Sequence, residues 1–444
     1  MKILLIQPKM NKRPMDTDLK IRMSPSLALL TLMNLTSDEH EAIMINENAE
    51  DIRYDCGADL VGITITLDVL PRAVTIASKF RNMGVPVVAG GIHVTCSPND
   101  CLPYFDVICI GPAERVWAKI VQDAKEGHLQ KEYCDIHSFR GDEIVSPAYD
   151  RIDRRKYLYT NVILTSKGCP NRCHFCYNSC GNRLYIRRPI PDVVNDIKSL
   201  GTRHILFIDD NFIGDPKYTG NLLKELQNMN LVWNAAVTTR ILDYPDLLDL
   251  MSKTGCRSLF IGFESINTAS LINVNKDNKV EYYEALVEAI HSRGIMINAS
   301  MVFGLDGDDA STFDRSLAWL IKMRIETLTS HILTPYPGTE LYKSMEAAGR
   351  IVDFDLGKYN TANVVFAPKD MTANELYEGY RRMYQQFYSF RNIIRRYPKN
   401  KMQRKPYLLF NLFYRKLGRF TSAITRIIPF GALGKLAARI SYKI

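Results

Sequence analysis

Short apolar runs rich in Val and Ile, bounded by Gly, Pro or Asp and separated by stretches of helical periodicity, recur along most of this chain. No other feature narrows the fold as much, because strands interleaved with helices imply parallel sheets covered on both faces. The runs fall into two blocks. In the first, Ile3 to Ile6, Ala42 to Ile45, Leu60 to Ile65, Val85 to Ala89 and Val107 to Ile110 alternate with helical stretches at Ser26 to Ser37, Leu70 to Met83 and Ala113 to Lys125. This pattern predicts an α/β domain over residues 1–135, a doubly wound, Rossmann-like parallel sheet. A polar linker over 136–157 follows. Alternation resumes over 158–342, with strands at Val162 to Leu164, His204 to Ile208, Val232 to Val237, Ser258 to Gly262, Met296 to Phe303 and Thr327 to Leu333. Residues 343–396 read as a helical C-terminal domain and 397–444 as a basic amphipathic tail.

The chemistry concentrates just after the first strand of the second block, in Cys169-Pro-Asn-Arg-Cys173-His-Phe-Cys176-Tyr. Three thiolates on one short loop can hold three irons of a cubane cluster and leave the fourth iron without a protein ligand. A structural zinc site completed by His174 or Cys180 is the alternative, but no second cysteine knuckle accompanies the loop. The C-x3-C-x2-C spacing and the aromatic residue before Cys176 resemble the radical S-adenosylmethionine superfamily. That resemblance implies a 4Fe-4S cluster held by Cys169, Cys173 and Cys176, with S-adenosylmethionine chelated at the open iron. Its reductive cleavage would release a 5′-deoxyadenosyl radical. It also implies that the second block forms a partial (β/α)6 TIM barrel, whose site residues lie at the carboxyl ends of the strands.

Those ends carry the remaining candidates. Asp209 and Asp210, after the second strand, stand where relatives bind the methionyl amino group, and one of them can instead cap the next helix. Arg240 is a candidate for the carboxylate or for a surface ion pair. Gly262-Phe-Glu264-Ser265 resembles the family's G-x-E-S element, which places Glu264 and Ser265 near the cofactor. Gly304 belongs to a turn expected near the adenine. Leu333-Thr-Pro335-Tyr-Pro337-Gly338-Thr339 resembles an element of the cobalamin-linked branch that includes hopanoid and phosphinate methylases.

The first block resembles the cobalamin-binding domain of that branch. The implied contacts are Thr64 and Thr66, the loop Gly90-Gly91-Ile-His93-Val-Thr95, and Gly111 with Glu114. Paired glycines let backbone approach a flat macrocycle closely. Two departures stand out: there is no D-x-H-x-x-G to supply a lower axial histidine, and Pro112 replaces the first acid of the usual G-E-G/A-E. A Rossmann-like domain that only braces the barrel is the alternative.

Composition sets the surroundings. An apolar fraction of 46% suffices for buried cores, and ten cysteines without regular pairing point to a reducing, cytoplasmic setting. Residues 391–444 hold 14 of the 57 Lys and Arg and no acid, so the net charge of +9 belongs to the tail. Leu433, Leu436, Ala437, Ile440 and Ile444 form an apolar stripe opposite Lys435, Arg439 and Lys443. That pattern suits contact with the inner face of a membrane or docking on the protein. Nucleic acid is not expected, since no binding module accompanies the charge. The resemblance implies a cobalamin-dependent radical enzyme that methylates an unactivated carbon of a lipid, terpenoid or secondary metabolite, with flavodoxin or ferredoxin as electron donor. Rearrangement without methyl transfer and a noncatalytic metal-binding or sensor role are the alternatives.

Overall fold

Each block of alternating elements folds into a six-stranded parallel sheet, as described by a computed structural model covering residues 1–14, 16–180, 185–416 and 428–442. In the first sheet β1 (Lys2–Gln7), β2 (Glu41–Asn46), β3 (Leu60–Thr64), β4 (Val87–Gly90), β5 (Val107–Ile110) and β6 (Glu132–Cys134) lie in the order β2-β1-β3-β4-β5-β6. Reversal at β1 and β3 creates the crevice where ligands of doubly wound sheets bind. Helix α1 (Leu27–Leu35), capped by Ser26, and α2 (Leu70–Asn82) cover it. Strand β6 was not foreseen, because its three residues sit in a polar stretch and gain their identity only by pairing with β5. The loop after β4 is likewise partly helical: α3 spans Ile92–Cys96, followed later by α4 (Trp117–Glu126).

Residues of the expected linker are pinned rather than free. Tyr149, Ile152 and Tyr157 are buried, and the Tyr149 hydroxyl donates to Val162 O at 3.0 Å.

The second sheet runs β7 (Val162–Ile163), β10 (His204–Phe207), β11 (Val232–Val237), β12 (Cys256–Glu264), β13 (Met296–Phe303) and β14 (Thr327–Ile332) side by side in chain order, the arrangement of an open barrel. Between β7 and β10 a short antiparallel pair, β8 (Ser166–Lys167) and β9 (Ile186–Arg187), frames the cysteine loop. A break in register between Gly262 and Glu264 bulges the end of β12.

Helix α5 (Ala373–Phe387) begins with a reciprocal cap between Thr372 and Glu375 and packs on the barrel. Tyr380, Tyr384 and Tyr388 share its buried side, and the Tyr388 hydroxyl bridges N and O of Leu328 at 2.9 and 2.8 Å. That tyrosine face is packing. Beyond it, α6 (Lys401–Leu408) continues as a π-helical turn over Leu409–Tyr414, and α7 spans Phe430–Tyr442. Phe430 and Leu433 of α7 are buried with Leu19 and Leu158, so the tail docks by one side. Leu436 and Ile440 stay exposed beside Lys435 and Arg439, whereas Lys443 and Ile444 lie outside the described residues. Among the described residues no helix is long and apolar enough to cross a membrane.

Candidate active site

Gly168, at φ +80°, turns the chain from β8 into the cysteine loop, and four contacts then fix the loop's path. The His174 N–H donates to Val274 O at 2.9 Å, Leu341 N–H to His174 O at 3.0 Å, Asn275 Nδ2 to Arg172 O at 2.8 Å and Ser179 Oγ to Cys173 O at 2.6 Å. Burial raises the thiol pKa values of Cys169, Cys173 and Cys176, the last to about 12, and the charge of Cys173 is felt by both Cys169 and Cys176. Among the described residues, however, no three His, Cys, Asp or Glu side chains converge on a single ion. Three thiols on one short loop suit a cluster that gives each its own iron. Of the two proposed fourth ligands of a zinc site, Cys180 is turned toward Cys96 of the first domain.

The barrel candidates separate by position. Asp210 lies beside Cys169 and Cys176, is bonded to Asn178, and has its pKa raised by burial. Asp209 is a clamp: its Oδ1 accepts from the N–H and hydroxyl groups of Thr165 and Ser166 at 2.6 to 3.0 Å, while burial pushes its pKa up to about 6. Glu264 sits at φ +62° on the β12 bulge, a costly conformation for a residue with a side chain. Its carboxylate meets Lys276 Nζ at 3.0 Å and accepts from Ser300 Oγ at 3.1 Å. Asn278 and Tyr283 hold the bulge by donating to the carbonyls of Gly262 and Phe263.

Ser265 is buried and its hydroxyl accepts from Asn267 N, so it supports the turn behind Glu264. Gly304, at φ +92°, donates its N–H to Asp308, whose pKa burial raises to about 6. Arg240 is not brought in: it is exposed and lies 3.6 Å from Asp243.

Lys276 escaped sequence reasoning. It is buried, pairs with Glu264, and its charge favours the thiolate forms of Cys169 and Cys173. One of two lysines in the polar stretch Asn273 to Lys279, it carries no sequence signal; only the fold brings it to the cluster loop.

At the carboxyl edge of the first sheet lies a cavity of about 230 Å³. Thr64, Gly90, Gly91, Gly111 and Glu114 line it, together with Lys167, two residues before Cys169. Gly91, at φ +109°, would bring a Cβ within 2.8 Å of Ile65 backbone atoms, so only glycine permits this approach. Glu114 pairs with Lys167 across the domain boundary. Three candidates do not face the cavity. Thr66 bonds Asp68 at 2.8 Å, while the Thr95 hydroxyl accepts from Gly111 N and donates to Gly91 O, tying two loops together. His93 is fully buried, with Nδ1 3.1 Å from the Tyr177 hydroxyl and Nε2 3.6 Å from Asp100. Tyr177, next to Cys176, stacks on Tyr336 at 4.5 Å, so His93 joins the first domain to the cluster loop and the Pro335-Tyr336-Pro337 turn. Burial lowers the His93 pKa, which keeps the ring neutral. A backbone cradle of glycines open to both domains fits a flat macrocycle laid against the cluster loop.

Comparison with known proteins agrees with this geometry. Residues 163–320 match the radical SAM superfamily, and residues 339–427 match a domain of unknown function, DUF4070. The chain is 29% identical over 437 residues to bacteriochlorophyllide d C-12(1)-methyltransferase of Chlorobaculum tepidum, covering 94% of each. It is 26% identical to hopanoid C-2 methylase of Rhodopseudomonas palustris over 77% of this chain and 68% of that one. Its fold is similar to that of the radical S-adenosylmethionine methyltransferase TsrM of Kitasatospora setae, solved with cobalamin and a [4Fe-4S] cluster bound. The TM-score there is 0.69 at 17% identity, over 98% of this chain and 99% of the other.

Proposed function

We propose that this chain, whose residues 163–320 match the radical S-adenosylmethionine superfamily, is a cobalamin-dependent methyltransferase acting on an unactivated carbon of a largely apolar small molecule. The observation that carries the reading is the juxtaposition of the cysteine loop with the glycine-lined cavity, joined by the Lys167–Glu114 pair. When bound, the cluster and S-adenosylmethionine supply one-electron cleavage of a carbon–sulfur bond, and cobalamin supplies a transferable methyl group.

The chain's own residues hold these parts in register. Cys169, Cys173 and Cys176 are the cluster ligands, and Lys276 sets the local charge that favours their thiolates. Asp210 and Glu264 offer carboxylates to the ammonium and hydroxyl groups of S-adenosylmethionine. Gly90, Gly91 and Gly111 give a close backbone floor for the corrin. Fixing two reacting partners on opposed strand ends turns an encounter into an intramolecular step. The one-electron donor is flavodoxin or ferredoxin.

The tail adds a surface. Phe390, Ile394, Met402, Leu436 and Ile440 are exposed among the basic residues of 391–444, which suits peripheral contact with an anionic membrane that holds the substrate. Flotation with phosphatidylglycerol vesicles is expected to carry the full chain and to leave behind a chain without 391–444; equal behaviour removes the membrane from this reading.

The test of the reaction is anaerobic reconstitution with iron, sulfide and cobalamin. The expected result is a cluster with three cysteine ligands, one bound cobalamin, reductant-dependent 5′-deoxyadenosine, and S-adenosylhomocysteine formed in step with a product heavier by one methylene. Absence of cobalamin binding, or product without S-adenosylhomocysteine, overturns the methyltransferase reading.

A further inference from the structure

The interior of the barrel is hollow. Closed barrels of this kind fill their lumen with layers of bulky branched side chains, but here the inward positions include Ala236, Ser258, Asn298 and Thr327. They leave a cavity of about 470 Å³. Ile208, an inward residue of the second barrel strand's end, is 43% exposed although it lies inside the molecule.

No charged side chain lines the space among the described residues. His204 at its lower end is kept neutral by burial, which lowers its pKa to about 4. Most of the lining is apolar, with His204, Asn234, Ser258, Asn298 and Thr327 interspersed, so the space suits a largely apolar guest, and covering apolar surface stabilises by about 25 cal/mol per Å².

The floor is made by the C-terminal segment. Phe410, Phe413, Leu433 and Tyr442 close the lower end, with the Tyr442 ring 5.5 Å from that of His204 and its hydroxyl bonded to Asn234. The upper end is Ile208, two residues before Asp210, which stands beside the cluster thiols. A molecule lying along the lumen would therefore have one end beneath the cluster and the other against the C-terminal helices.

We propose that this lumen holds the apolar body of the substrate, an uncharged isoprenoid or alkyl portion, and that the C-terminal segment is its floor and sets its length. The assignment rests on the methyltransferase reading above for calling the guest a substrate, though not for the existence of the site.

The test is titration calorimetry of the reconstituted protein with farnesol as the probe, using the wild type, Ala236→Phe and Ser258→Phe. The wild type is expected to bind one farnesol. Each phenylalanine, filling the lumen, is expected to weaken binding at least tenfold while iron content and thermal midpoint stay at the wild-type level. Absence of farnesol binding by the wild type, or equal binding by both filled variants, overturns the assignment. Wild-type protein that binds farnesol but forms no 5′-deoxyadenosine would refute the reaction and leave the cavity assigned.

Discussion

Lys276 shows how one residue couples stability to the chemistry of the site. Its ammonium and the Glu264 carboxylate are both nearly enclosed, each side chain only 9% exposed. Removing one partner of such a pair leaves a buried charge uncompensated, at a cost of about 3–5 kcal/mol. Lys276→Met is therefore expected to lower stability in urea denaturation by that amount, and the added change Glu264→Gln to recover most of it. Asp209 gives a pH signature of the opposite sense to a surface carboxylate. Burial raises its pKa from 3.8 to about 6, so between those values the folded state holds the proton more firmly than the unfolded chain. Stability from this group is expected to fall as pH rises from about 4 to about 6, and Asp209→Asn to flatten that fall in thermal midpoints. At this scale the sequence pointed to Cys169, Cys173, Cys176, Asp210 and Glu264, because each follows a strand end within a recognisable run, and the fold places Asp210 beside Cys169 and Cys176. It missed Lys276 and Ser300, and it left His93 facing a cofactor when burial turns the ring to Tyr177. Spacing along a chain says nothing about which way a loop side chain is packed.

Among the elements, the C-terminal helices are bound to the barrel by a buried guanidinium. Arg396, fully enclosed, donates to the carbonyls of Ile325, Glu326 and Phe387 and lies 3.6 Å from the Phe387 ring centre. Arg396→Leu takes this donor from three carbonyls, of which Glu326 O keeps Asn411 Nδ2 at 3.1 Å, and each carbonyl left unpaired costs about 1–3 kcal/mol. It is expected to loosen 397–416 and to speed limited proteolysis there before the barrel itself unfolds; unchanged protection would show that α6 docks without it. Strand and helix alternation was legible because buried parallel strands need continuous Val and Ile runs. The three-residue β6 was set by its neighbour, since pairing and not local propensity decides so short a strand.

For the molecule as a whole, function depends on two sheets keeping their carboxyl edges face to face. Gly338, at φ +88°, lies so close to the first domain that a Cβ there would stand 2.6 Å from Cys96 O. Gly338→Ala is expected to pry the domains apart. It should keep 5′-deoxyadenosine formation while reducing the methylated product by tenfold or more, a ratio that chromatography of the two products reads directly. The sequence by itself determined the two alternating blocks, the loop with cysteines in C-x3-C-x2-C spacing, and the paired glycines at the carboxyl edge of the first sheet, because each is written in neighbouring residues. Tertiary structure alone decided that Glu114 reaches Lys167, that Lys276 stands beside the thiols, and that the basic tail floors an apolar lumen. Those contacts join residues distant along the chain, and their partners are chosen by packing.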